Sequence, residues 1–150
     1  MRVDFSPPDI TDAECQEVLD ALQSGWITTG PRTKSLEKRV AERCGTTRAV
    51  CLNSATASLE LTLRVLGIGP GDEVIVPAYT YTASASPIVH VGATPVIVDA
   101  GDADGGYGLD PRVLESAITP RTKAVIPVDI GGRMCDYPAL RAVVDSHSRL

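Results

Sequence analysis

Ala49-Val50-Cys51-Leu52, then Asn53-Ser54-Ala55-Thr56-Ala57-Ser58-Leu59-Glu60-Leu61, then Gly67-Ile68-Gly69-Pro70-Gly71-Asp72 and Glu73-Val74-Ile75-Val76-Pro77-Ala78-Tyr79-Thr80-Tyr81 decide the fold. An apolar run is followed by a helical segment from Ala55 to Leu66 that Gly67 ends, and then by a second apolar run. Neither run alternates polar with apolar residues, so both predict strands covered on two faces, as in a parallel sheet between helices. The rhythm extends outward in both directions. Pro95–Asp99 and Lys123–Val128 predict two further strands, which makes four. Helices are expected at Thr11–Ser24, with Val18, Leu19 and Leu22 as its apolar stripe, and at Ser35–Cys44. A weakly helical stretch spans Thr82–Val91, where Pro87 demands a kink or a late start. Asp110-Pro111 opens another helix with a cap and a proline at its first position, and Asp136–His147 is the last. The expected fold class is α/β, three layers around a mainly parallel sheet. Residues 1–45 read as a helical N-terminal segment and loop, and 46–150 as the sheet region.

Composition narrows the class. The 150 residues are 43% hydrophobic and 22% charged, with a net charge of −5, which is ordinary for a globular chain. The acidic balance speaks against nucleic acid or an anionic membrane surface as a partner. No apolar run approaches the roughly 20 residues that span a bilayer, and no signal-like h-region follows Met1, so the expected location is cytoplasmic. Cys15, Cys44, Cys51 and Cys135 lack metal-ligand spacing and read as reduced thiols.

In open α/β sheets ligands gather at the carboxyl ends of the strands. The segment Ala55-Thr56-Ala57-Ser58 is there the most informative, because a first helical turn usually carries an acid and this one has none before Glu60. Small side chains over free amides suit a phosphate, with the Thr56 hydroxyl as a further donor; equally, they suit close packing of helix on sheet. Tyr79 and Tyr81 are half of the four tyrosines. Either ring could stack on a planar ligand, or both could fill the interface between sheet and helix, as buried aromatics usually do. Asp99 and Asp129 end predicted strands and read foremost as caps of the following loops. His90 and His147 read as partly buried or solvated side chains rather than general bases. Gly67-Ile68-Gly69-Pro70-Gly71 precedes a strand instead of following one, which excludes a dinucleotide fingerprint.

These stretches, together with Gly25-Trp26-Ile27-Thr28-Thr29-Gly30-Pro31, Val91-Gly92-Ala93-Thr94-Pro95 and Ile118-Thr119-Pro120-Arg121-Thr122-Lys123-Ala124, resemble the DegT/DnrJ/EryC1/StrS aminotransferases in order and spacing. The resemblance implies the large domain of fold type I and pyridoxal 5'-phosphate as cofactor. It implies transfer of an amino group, from a donor such as glutamate, to a keto-sugar that is commonly nucleotide-linked. Ala55 and Thr56 stand where the family usually has Gly-Thr on the cofactor phosphate. Tyr81 matches the aromatic residue that stacks on the pyridine ring, with Tyr79 as the nearby alternative on the substrate side. Thr29 falls where family members line the substrate side. A homodimer with the site at its interface is implied as well.

The resemblance also implies an acid facing the pyridine nitrogen and a Schiff-base lysine, both beyond Leu150. Lys34, Lys38 and Lys123 are the lysines present, and none is expected at the carboxyl end of a strand. The expectation is therefore the first two-fifths of an enzyme, inactive by itself. Two alternatives remain: a dehydratase of the same family with histidine in place of the lysine, and a non-catalytic module that grips a phosphorylated ligand.

Overall fold

A computed structural model of the chain describes residues 7–101 and 107–147. Most of the Gly/Asp-rich segment 102–108 lies outside them. Among the described residues no helix is long and apolar enough to cross a membrane. The chain divides into two units, Met1–Cys51 and Leu52–Leu150.

The first unit is helical. α1 (Asp12–Gln23) starts on a reciprocal cap: the Thr11 hydroxyl accepts from the Ala13 amide, and Glu14 accepts from the Thr11 amide at 2.7 Å. α2 (Pro31–Cys44) begins four residues earlier than the spacing predicts, because Pro31 at its first position continues the helix where a loop was expected. Gly45, in the left-handed region, closes it. The predicted strand at Ala49–Leu52 does not form, and Val50 is 73% exposed. An apolar run becomes a strand only where a neighbouring backbone accepts and donates hydrogen bonds, and no described segment pairs with it.

In the second unit, α3 (Ala55–Val65) leads into β1 (Glu73–Pro77). A 3₁₀ turn (Thr82–Ser84) and α4 (Ser86–His90) follow, so Pro87 delays the helix, one of the two outcomes expected of it. β2 (Thr94–Val98), α5 (Pro111–Ala117), β3 (Thr122–Val125) and α6 (Tyr137–Asp145) complete the unit. The sheet order is β2-β1-β3, all parallel. Pro95 has no amide to donate and sits on the edge strand β2, where a proline is tolerated.

β1 is buried at every position. Val74 and Val76 face one side and pack with Leu63 of α3 and Ile88 of α4, while Ile75 faces the other and packs with Leu114 of α5 and Leu140 of α6. This period-two division of one apolar run between two helical layers is the expected α/β/α arrangement.

Glu73 ties the amino end of β1 to the segment that enters β3, at the point where the register of the β1–β3 pair shifts. Its amide donates to the Arg121 carbonyl at 2.9 Å, and its buried carboxylate accepts from Thr119 Oγ1 at 2.5 Å and Arg121 Nε at 2.9 Å. The Thr119 hydroxyl, then the Arg121 guanidinium, hold the carboxyl below its usual range. A lowered folded-state pKa contributes stability above the unfolded value of about 4.3, and that stability disappears as pH falls through the folded value. Glu73→Gln is accordingly expected to lower the urea midpoint at neutral pH, with the gap to the parent closing in strong acid. Urea titrations at both pH values check this, and an equal gap at each would refute it.

Candidate functional site

The strands are parallel, so their carboxyl ends lie on one rim of the sheet. The Ala78 amide extends β1 past Pro77 by donating to the Val98 carbonyl at 2.7 Å. From there the chain turns outward and carries Tyr79, Thr80 and Tyr81 onto that rim. The Ser84 amide donates to the Tyr81 carbonyl at 2.9 Å, and Thr80 Oγ1 lies 2.7 Å from Ser84 Oγ, so the turn is closed twice. This turn and α4 pack against α3.

The amino end of α3 has a particular set of donors. Ser54 caps the helix: its Oγ accepts from the Ala57 amide at 3.1 Å, and its carbonyl accepts from the Ser58 amide at 3.2 Å. The amides of Ala55 and Thr56 are left without a partner among the described residues, as is the Thr56 hydroxyl. No acid stands in the first turn. The first acid along the helix, Glu60, is held by Arg64 (2.7 Å) and by His90 Nδ1 (3.0 Å). Hydrogen bonds from the side chains of Arg64 foremost and then His90 keep its carboxyl below the usual range. Two amides and a hydroxyl at a positive helix end are a donor set for an anion and fit a phosphate ester. His90 thus ties α4 to α3.

Both tyrosines stand clear of the core, so of the two alternatives they do not fill the interface between sheet and helix. Tyr81 is 81% exposed and Tyr79 54%. The Tyr79 ring is not free: its centroid lies 5.0 Å from that of Tyr107 at an interplanar angle of 48°. Tyr81 has no such ring partner among the described residues and offers an open face. Sequence reasoning missed Tyr107; its signal was a single aromatic residue in a Gly/Asp-rich segment. Asp129 acts as a cap, accepting from the Cys135 amide at 2.9 Å and from the Tyr137 hydroxyl at 3.0 Å. Asp110 likewise caps α5 through the Arg112 amide at 2.7 Å.

Thr29 belongs to the first unit, where it is exposed and its carbonyl accepts from the Trp26 indole at 3.1 Å. In the same unit Lys34 pairs with Glu37 at 3.0 Å and Lys38 with Glu42 at 3.8 Å. Lys123 is the second residue of β3, at the amino end of the strand and away from the rim that carries Tyr81.

Comparison with known proteins gives a consistent result. The sequence profile of the DegT/DnrJ/EryC1/StrS aminotransferase family matches residues 8–149. The spore coat polysaccharide biosynthesis protein SpsC of Bacillus subtilis is 47% identical over 143 residues, which are 95% of this chain and 36% of SpsC. Spr1654 of Streptococcus pneumoniae, assigned as a sugar aminotransferase and solved in its PMP-form, superposes with a TM-score of 0.90 at 59% identity. That match covers 97% of this chain and 36% of the other. NtdA of Bacillus subtilis with bound cofactor PMP matches with a TM-score of 0.83 at 30% identity, over 91% and 32% of the two chains. The chain thus spans about a third of the length of each of these relatives.

Proposed function

The chain belongs to the DegT/DnrJ/EryC1/StrS aminotransferase family, and on that premise we propose that it is the cofactor-phosphate and ring-stacking part of a pyridoxal-phosphate enzyme that aminates a keto-sugar. The observation that carries this reading is the pair of unpartnered amides at Ala55 and Thr56, in a helix turn without an acid, beside a turn that opens with Tyr81. Ala55 and Thr56 bind the phosphate, the Thr56 hydroxyl adds a third donor, and Tyr81 lies against one face of the ring. The methyl group of Ala55, where the family usually has glycine, brings one carbon close to the phosphate and removes no donor. When bound, the cofactor supplies an aldehyde that takes up the amine and a ring that withdraws electrons from the reacting carbon. The donor is an amino acid such as glutamate, the acceptor a nucleotide-linked keto-sugar, and the working form a cytoplasmic homodimer. Residues 1–45 and 46–150 act as its N-terminal segment and the first part of its large domain.

On this reading the reacting amine is none of the three lysines in these 150 residues. Lys34 and Lys38 are engaged with glutamates, and Lys123 occupies the wrong end of its strand. A protein limited to these residues is expected to release no oxo acid from glutamate above the rate of free cofactor. The full-length protein is expected to do so, with the keto-sugar as acceptor. Failure of the full-length protein to form oxo acid with any keto-sugar acceptor would refute the reading.

Tyr81→Ala in the full-length protein is expected to weaken cofactor affinity about fivefold, from the worth of one aromatic stacking contact. Equilibrium dialysis of the cofactor measures it, and an unchanged affinity would remove Tyr81 from the site.

A further inference from the structure

The loop between α1 and α2 is short and exposed, yet it is anchored at both ends and at the Thr29 carbonyl. Ser24 Oγ donates to the Ala21 carbonyl at 2.7 Å and accepts from the Trp26 amide at 3.2 Å, which anchors the start of the loop to the end of α1. At the other end the Gly30 carbonyl accepts from the Lys34 amide at 3.0 Å as the first bond of α2. Between these anchors the Trp26 side chain folds back on its own loop. Its Nε1 donates to the Thr29 carbonyl at 3.1 Å, and its ring lies over Gly30 so closely that a Cβ there would sit 2.1 Å from Nε1. Gly30 has extended backbone, so glycine is required here by the ring and not by the torsion angles.

The outcome is a loop whose middle residues, Thr28 and Thr29, are exposed, with hydroxyls that make no hydrogen bond among the described residues. A tryptophan that is 58% exposed contributes little burial in this place. Its geometry instead fixes a carbonyl, and through it the direction of the side chain on the same residue. A hydroxyl both donates and accepts, which matches the alternating donors and acceptors of a polyhydroxylated ring.

We infer that Trp26 is a positioning residue that holds Thr29 for the sugar substrate, an inference that rests on the reading of Thr29 as a substrate-side residue. Trp26 touches no reacting atom. It acts through the Thr29 carbonyl and the floor at Gly30.

The test is a double-mutant cycle in the full-length enzyme, read as KM for the keto-sugar against kcat. Thr29→Ala is expected to raise KM about fivefold with kcat little changed, as for one lost hydrogen bond. Trp26→Phe keeps a ring over Gly30 but loses the indole donor, and it is expected to raise KM by a similar factor. The double variant should be no worse than Thr29→Ala. Two independent effects that multiply, or a Trp26→Phe enzyme with the parent KM, overturn the inference while leaving the Thr29 reading intact. An unchanged KM in Thr29→Ala overturns that reading and the inference with it. A second measurement is independent of activity. In protein labelled with 5-fluorotryptophan, the Trp26 resonance, identified by its loss in Trp26→Phe, should shift in Gly30→Ala, because the added Cβ displaces the ring; a resonance that stays in place refutes the clamp.

Discussion

Ala55→Asp in the full-length protein is expected to weaken cofactor binding about a hundredfold while leaving the fold as stable as before or slightly more so. The carboxylate would sit at the first position of α3, next to the amides left free by the Ser54 cap. An acid at that position interacts favourably with the helix end, by roughly 0.3–1 kcal/mol, so the helix gains. A phosphate dianion competing for the same amides would meet a like charge a few ångströms away. One such pair of unit charges costs about 1 kcal/mol in water and about 4 kcal/mol at an intermediate dielectric constant, which brackets the loss. Ala55→Asn separates charge from size, since it adds nearly the same volume without the carboxylate and should lose far less. Cofactor titration and thermal melts on both variants decide the matter. Equal losses for Asp and Asn would mean that crowding acts rather than charge, and a parent-like affinity in the Asp variant would place the phosphate elsewhere.

Ile75→Ala is expected to cost about 3 kcal/mol, within the range for removing a large aliphatic side chain from a closed core. Ile75 is fully buried at the centre of the middle strand, packed with Leu114 and Leu140 and bonded through its carbonyl to the Ile126 amide at 2.8 Å. Val74 and Val76, on either side of it along β1, are buried against the opposite layer. Ile97→Ala is the matched control. It lies on the edge strand β2 and is 61% exposed, so its loss should stay near 0.5 kcal/mol. Urea denaturation of the two variants measures the contrast. Similar losses at both positions would show that the edge of β2 is covered in the protein in solution.

Much of this was legible in the chain because the signals are local. Ser54 before a run of small residues announces a capped helix, Asp110-Pro111 announces α5, and the unbroken run Val74-Ile75-Val76 announces a strand covered on both faces. The absence of an acid before Glu60 pointed to the amino end of α3, and the structure adds which amides remain free: the Ser54 side chain takes that of Ala57 and no other in that turn. What could not be read is the part that depends on a neighbour distant in sequence. Ala49–Leu52 has the composition of a strand, but among the described residues no segment pairs with it. Tyr79 and Tyr81 look alike in sequence, yet one packs on Tyr107 and the other keeps an open face.

The family, the parallel α/β layering and the small, acid-free first turn of α3 are legible in the chain alone, because apolar periodicity, caps and small-residue turns act over a few residues. The strand order β2-β1-β3, the bonds of Glu73 to Thr119 and Arg121, and the pairing of Glu60 with His90 came only with the tertiary structure. The physical reason is reach. Caps and periodicity are written into residues three or four apart, whereas a strand neighbour or a hydrogen bond between residues 30 to 48 apart exists only once packing has brought the two sides together.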